Sequence, residues 1–196
     1  MRPGASRQMD TLLAICLGIG LSAAVGFRIF LPPFVVGLAA ALGFIELPAS
    51  AQWLSSNTAL MAFGAAMLIE LLAYMIPWVD NLLDTIATPL AVVAGTVLAA
   101  SFLGEMPTAL RWTLALVAGG GASATTQGLT TVTRAASTAT TGGVANPLVS
   151  GAEAVAALLT TILALIVPVA VAAIVLAVAV FVFWRIGRRR SRSVTA

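Results

Sequence analysis

Seven acids and ten arginines make up all the formal charge of this chain, and several stand where they could do chemistry. Glu70 falls well inside an apolar run, six residues before Ile76, where an ionised carboxylate is costly unless it is paired, protonated or in a wet cavity. Tyr74, four residues on, shares its helical face. Asp80 and Asp84 are spaced so that a helix presents both on one face, with Asn81 beside them. That spacing could offer oxygen ligands to a hard cation, or it could pair with Arg28 and Arg134. The alternative is that Asp80 or Asp84 caps a helix and the others face water.

Other polar groups have simpler readings. Ser150-Gly151-Ala152-Glu153 has the spacing of a capping box at the start of a helix, which assigns Glu153 a local structural role. The run Ser137-Thr138-Ala139-Thr140-Thr141-Gly142-Gly143, with Asn146-Pro147, offers hydroxyls and amides to an anion or a polar head group but has no Walker lysine. Gly18, Gly20, Gly119, Gly120 and Gly121 serve either close helix packing or a distorted helix whose freed carbonyls face a cavity.

Histidine is absent, which excludes Ser-His nucleophiles, imidazole metal sites and histidine proton relays. The single cysteine, Cys16, makes no internal disulfide and reads as a small buried residue. No catalytic pattern is complete, so an enzyme is not expected. Nor is a cofactor, and a metal is left undetermined.

These groups must be positioned by helices in a bilayer. Hydrophobic residues are 60% of the 196 and charged residues 9%, far below the roughly one quarter of a water-soluble domain. A crossing takes about 20 apolar residues, so the chain has room for six or seven crossings and no second domain. The expected order is a cytoplasmic tail over 1–9, a membrane domain over 10–184 and an Arg-rich tail over 185–196.

Within that domain, spans are expected from Thr11 to Phe27 with Asp10 as N-cap, from after Pro33 to Ile45, from Thr58 to Ile76, from Leu83 to Leu103, from Thr108 to about Ser123, and from Ala152 to Trp184. The last is too long for one bilayer and must tilt, kink at Pro168 or project. The Thr/Gly-rich stretch between Thr125 and Ser150 is too polar to face lipid and is expected to be re-entrant or cavity-lining. The fold class is therefore an all-α membrane protein of six transmembrane helices plus that segment.

With six crossings, Arg2, Arg7, Arg111 and the Arg-rich tail share one side, which the positive-inside rule makes cytoplasmic. Arg28 and Arg134 then share the other side with Asp80, Asn81, Asp84 and Asn146. A weak parallel repeat is suggested by Gly18–Ala23 against Gly119–Ala124 and by Pro33–Ala40 against Pro147–Ala154.

Three stretches carry a further likeness: Gly26-Phe27-Arg28-Ile29-Phe30, Ile76 to Thr85, and Ala136 to Gly143 with Asn146-Pro147. Together they resemble the bacterial integral-membrane family of domain of unknown function 4126, over about Asp10 to Trp184. The resemblance implies a bacterial inner-membrane protein and transfers no catalytic residue. The functional expectation is a channel or transporter for an ion or small polar solute, with its site on the non-cytoplasmic side and Glu70 deeper along the path. A non-transporting scaffold or lipid-binding protein is the alternative. The expected partners are the lipid bilayer and further copies of the chain, with no nucleic acid.

Overall fold

The computed structural model describes residues 3–193, except for the side chains of 3–8, 77–82, 84, 186–187 and 189–193. Among the described residues there is helix and no strand. The helices are α1 (Pro3–Phe27), α2 (Leu31–Ala41), a 3-10 segment (Ala49–Ser55), α3 (Asn57–Ala73), α4 (Pro77–Phe102), α5 (Thr108–Leu114), a π-helical segment (Ala115–Gly120), α6 (Gly121–Thr141), α7 (Asn146–Ile166) and α8 (Pro168–Ser193).

Among the described residues, four stretches are long and apolar enough to cross a bilayer: Met9–Phe27, Thr85–Phe102, Asn146–Ile166 and Pro168–Arg185. A fifth is reached if the 3-10 segment and α3, bent by 61°, count as one broken span. Outward faces of these helices are apolar, with Ile166 and Phe183 each about 70% exposed, as hydrocarbon solvent permits.

α1 is the central element and packs on α4, α6, α7 and α8. Its partners run in alternate directions. Ser22 Oγ donates to Gly95 O at 2.7 Å, and Ile29 packs with Ala87 and Ala91, so α4 is antiparallel to α1. α6 is parallel to it, and the contact is close: a Cβ on Gly26 would stand 2.5 Å from Ser123 O, so only a glycine fits there. α7 is antiparallel, with Ala164 beside Gly20 and Ser150 beside Arg28. α2 and α3 form a short antiparallel hairpin in which Phe34 meets Gly64.

Several boundaries differ from the sequence reading. α1 begins at Pro3, so Asp10 is an exposed residue within the helix and not its N-cap. The second span shortens to eleven residues, because the chain turns through Leu42 and Gly43, whose φ is +78°. Glu153 is not a capping residue, since α7 starts at Asn146 and carries both Ser150 and Glu153 in its interior. The N-cap of α4 is Ile76 with Pro77 following, so neither Asp80 nor Asp84 occupies the cap.

The segment read as re-entrant or cavity-lining is helical through Thr141. It continues α5 and the π-helical segment until the left-handed Gly142 ends it. Its threonines tolerate this because Thr125, Thr126, Thr131 and Thr133 each donate to a carbonyl four residues back. The long last span is two helices, broken at Val167 (φ −132°, ψ 62°) before Pro168. The repeated sequences do not give helices of matching length, since α2 has 11 residues and α7 has 21.

Candidate functional site

Arg28 follows the last residue of α1, where the apolar stretch stops, and its side chain turns into the bundle. Its Nη2 donates to Ser150 O at 2.8 Å and to Ser150 Oγ at 2.6 Å, and stands 3.2 Å from Glu153 Oε2. Arg134 comes from the buried face of α6, where Ser123, Gln127, Thr130 and Arg134 recur at helical spacing. Its Nε donates to both oxygens of Glu153, at 3.0 and 3.1 Å, and its Nη2 also bonds Glu153 Oε2. One carboxylate thus serves two guanidinium groups.

Both guanidinium groups also lie over the ring of Tyr74, with Cζ 4.2 Å (Arg28) and 4.0 Å (Arg134) from the centroid. Tyr74 is placed there as the C-cap of α3, one turn beyond Glu70. Glu70 itself does not spend its oxygens on the arginines. It accepts from Ile29 N at 2.9 Å and from Phe30 N at 3.1 Å, satisfying free amides where α2 begins.

The cluster is buried: Arg28 is 1% exposed, Arg134 3%, Tyr74 5%, Glu153 6% and Glu70 8%. Desolvating an ion costs several kcal/mol, roughly, unless good geometry and further hydrogen bonds offset it, and here both are present. One polar atom is not satisfied, for Arg28 Nε is buried without a hydrogen-bond partner.

Of the residues singled out from sequence, the structure therefore gathers Arg28, Glu70, Tyr74 and Arg134. Asn146 sits at the α6–α7 turn, buried, with Nδ2 donating to Thr138 Oγ1 at 3.1 Å. Asp80, Asn81 and Asp84 lie in the first turns of α4, whose Ala87 packs against Ile29, so their backbone is at the cluster's end of the bundle. Their side chains fall outside the described residues. Among the described residues, no group of three metal-ligating side chains is assembled.

The domain-of-unknown-function model DUF4126 matches residues 15–188, which includes every residue of the cluster. The chain belongs to the DUF4126 family. No curated protein and no solved structure matches it. In this DUF4126 chain, the residues that sequence reasoning missed are Ser150 and Glu153, whose spacing matched a helix cap and concealed their partners. A signal was available, because Arg134 and Glu153 flank the Gly142-Gly143 turn at comparable distances along the chain.

The glycines of this DUF4126 chain divide by position. Gly18, Gly20, Gly119 and Gly120 face close neighbours, and a Cβ on Gly119 would stand 2.6 Å from Ala99 Cβ. Gly121 faces open space. Gly119 and Gly120 also end the π-helical segment, and their carbonyls accept from Ser123 Oγ at 3.2 and 3.0 Å, so the distortion is capped from within. Beside the cluster lies an apolar cavity of about 160 Å³, lined by Val25, Ile29, Phe30, Pro33, Trp53 and Phe63 among others.

Proposed function

We propose that this DUF4126 protein is a small transporter or channel for an ion or polar solute, and not an enzyme. Its solute site is the group of Arg28, Tyr74, Arg134 and Glu153, with Glu70 beside it. The observation that supports this most is the burial of two arginines and two glutamates together at one end of a bundle of apolar helices. Ionisable groups in such surroundings are expensive and mark solute paths. A second support is the buried polar face of α6, Ser123, Thr126, Gln127 and Thr130, which extends from Arg134 along α1.

We further place the chain in a bacterial inner membrane with six inserted segments, α1, α2, α3, α4, α5 continued into α6, and α7 continued into α8, so that the α2–α3 hairpin begins and ends on one side and the termini share the other. Both termini are cytoplasmic, on the strength of the arginine distribution. The cluster then faces the non-cytoplasmic side, and the protein works as a homo-oligomer. Flux from liposomes containing the full chain tests the reading. Ser150→Ala and Glu153→Gln, each shown to remain folded, are expected to change flux; unchanged flux in both removes the proposed site.

A second reading is favoured by one observation. The carboxylates are paired internally, and the cavity beside them is apolar. A scaffold or lipid-binding protein would use the same network to hold α1, α3, α6 and α7 together and would show no flux.

A further inference from the structure

We propose that the ligand of the cluster is a small oxyanion, a carboxylate or phosphate group, and that Glu153 is its resident competitor. This rests on the reading that the cluster is the solute site, and it adds the chemical class. Two guanidinium groups carry ten N–H donors in total and no acceptor, a set that matches planar or tetrahedral oxyanions and repels cations.

The acceptors supplied by the protein fall short of these donors at one identified atom. Arg28 is 1% exposed, yet its Nε has no hydrogen-bond partner. Its Nη2 is already committed to Ser150 and Glu153. The second acid of the cluster does not make up the difference, because both oxygens of Glu70 accept backbone amides from Ile29 and Phe30. A charged donor left without an acceptor in a buried site costs more than a neutral one, so the site favours a ligand bringing oxygen lone pairs.

Glu153 occupies the place such a ligand would take against Arg134. Its carboxylate meets the guanidinium through both oxygens, the geometry in which a free carboxylate or phosphate binds arginine. An incoming oxyanion can engage Arg28 Nε first and then share or displace Glu153. Tyr74 holds both guanidinium groups in position during that exchange, because its contact with them needs no acceptor. A free anion and the phosphate of an anionic lipid present the same chemistry.

The test is equilibrium binding of radiolabelled acetate and inorganic phosphate to the full chain in phosphatidylcholine nanodiscs, beside acetate and potassium flux in liposomes. Wild type is expected to bind at least one anion saturably. Removing the competing charge with Glu153→Gln is expected to tighten binding roughly tenfold or more. Ser150→Ala, a milder change that releases Arg28 Nη2 from one acceptor, tightens it in the same direction and keeps the test open if Glu153→Gln fails to fold. Absence of saturable binding in wild type and both variants overturns the oxyanion assignment, and potassium flux in that case leaves transport standing. Anion binding without any flux upholds the assignment and removes transport. Loss of anion binding when phosphatidylglycerol replaces part of the phosphatidylcholine identifies the lipid phosphate as the oxyanion, and unchanged binding identifies the free anion.

Discussion

Arg134 meets Glu153 through both carboxylate oxygens, with Nε at 3.0 and 3.1 Å, and so closes the α6–α7 hairpin on the same acid that Arg28 brings from the end of α1. α1 and the α6–α7 hairpin, far apart in sequence, are thereby tied at one buried point. Removing either arginine leaves the carboxylate with a partner; removing the carboxylate leaves two buried cations side by side. The network is therefore least tolerant at Glu153.

Glu70 acts on the amides of Ile29 and Phe30, so Glu70→Gln keeps one acceptor and loses the charge. The expected cost is about 1–3 kcal/mol, seen as a lower midpoint in thermal or denaturant unfolding of the detergent-solubilised chain. Glu70→Ala loses both acceptors and is expected to cost more. Equal stability of wild type and both variants would refute the capping role.

Tyr74 contributes its ring to two cations. Tyr74→Leu is expected to cost roughly 2–4 kcal/mol, taking about 2 kcal/mol or somewhat less for each desolvated contact. Tyr74→Phe keeps the ring face and is expected to be the milder of the two. The same unfolding measurement checks the order, and a phenylalanine variant as unstable as the leucine one would count against the ring contact.

Gly26 sets the spacing of α1 and α6. A Cβ there would stand 2.5 Å from a backbone oxygen and 2.6 Å from Thr126 Cβ, neither of which is the free end of a flexible chain. Gly26→Ala is expected to destabilise by about 1–3 kcal/mol through forced separation of the helices. Gly121→Ala, at a position with open space, is the matched control and is expected to be neutral or slightly stabilising.

The apolar stretches of α1, α4 and α7 were legible because a helix that must satisfy its own backbone in hydrocarbon leaves a long uncharged run. Glu70, Arg28 and Arg134 were legible for the same reason, since a charge inside or at the end of such a run needs a partner. What the sequence did not convey was which partner. Glu153 matched a helix-cap spacing, and only the helix start at Asn146 frees it to face the arginines. Glu70 pointed to a pathway by its depth, whereas its oxygens go to amides of the neighbouring turn. The threonines of α6 concealed a helix, because hydroxyls returning to the carbonyl four residues back are invisible to composition.

Arg134 and Glu153 act as one unit in the buried cluster, and a double-mutant cycle measures that directly. Arg134→Gln, Glu153→Gln and the double variant are compared with wild type in the unfolding free energy of the solubilised full chain. The expected coupling is about 1.5–3 kcal/mol, with the double variant more stable than the sum of the single losses implies. Losses that simply add, within about 0.5 kcal/mol, would contradict the shared buried ion pair and the site built on it.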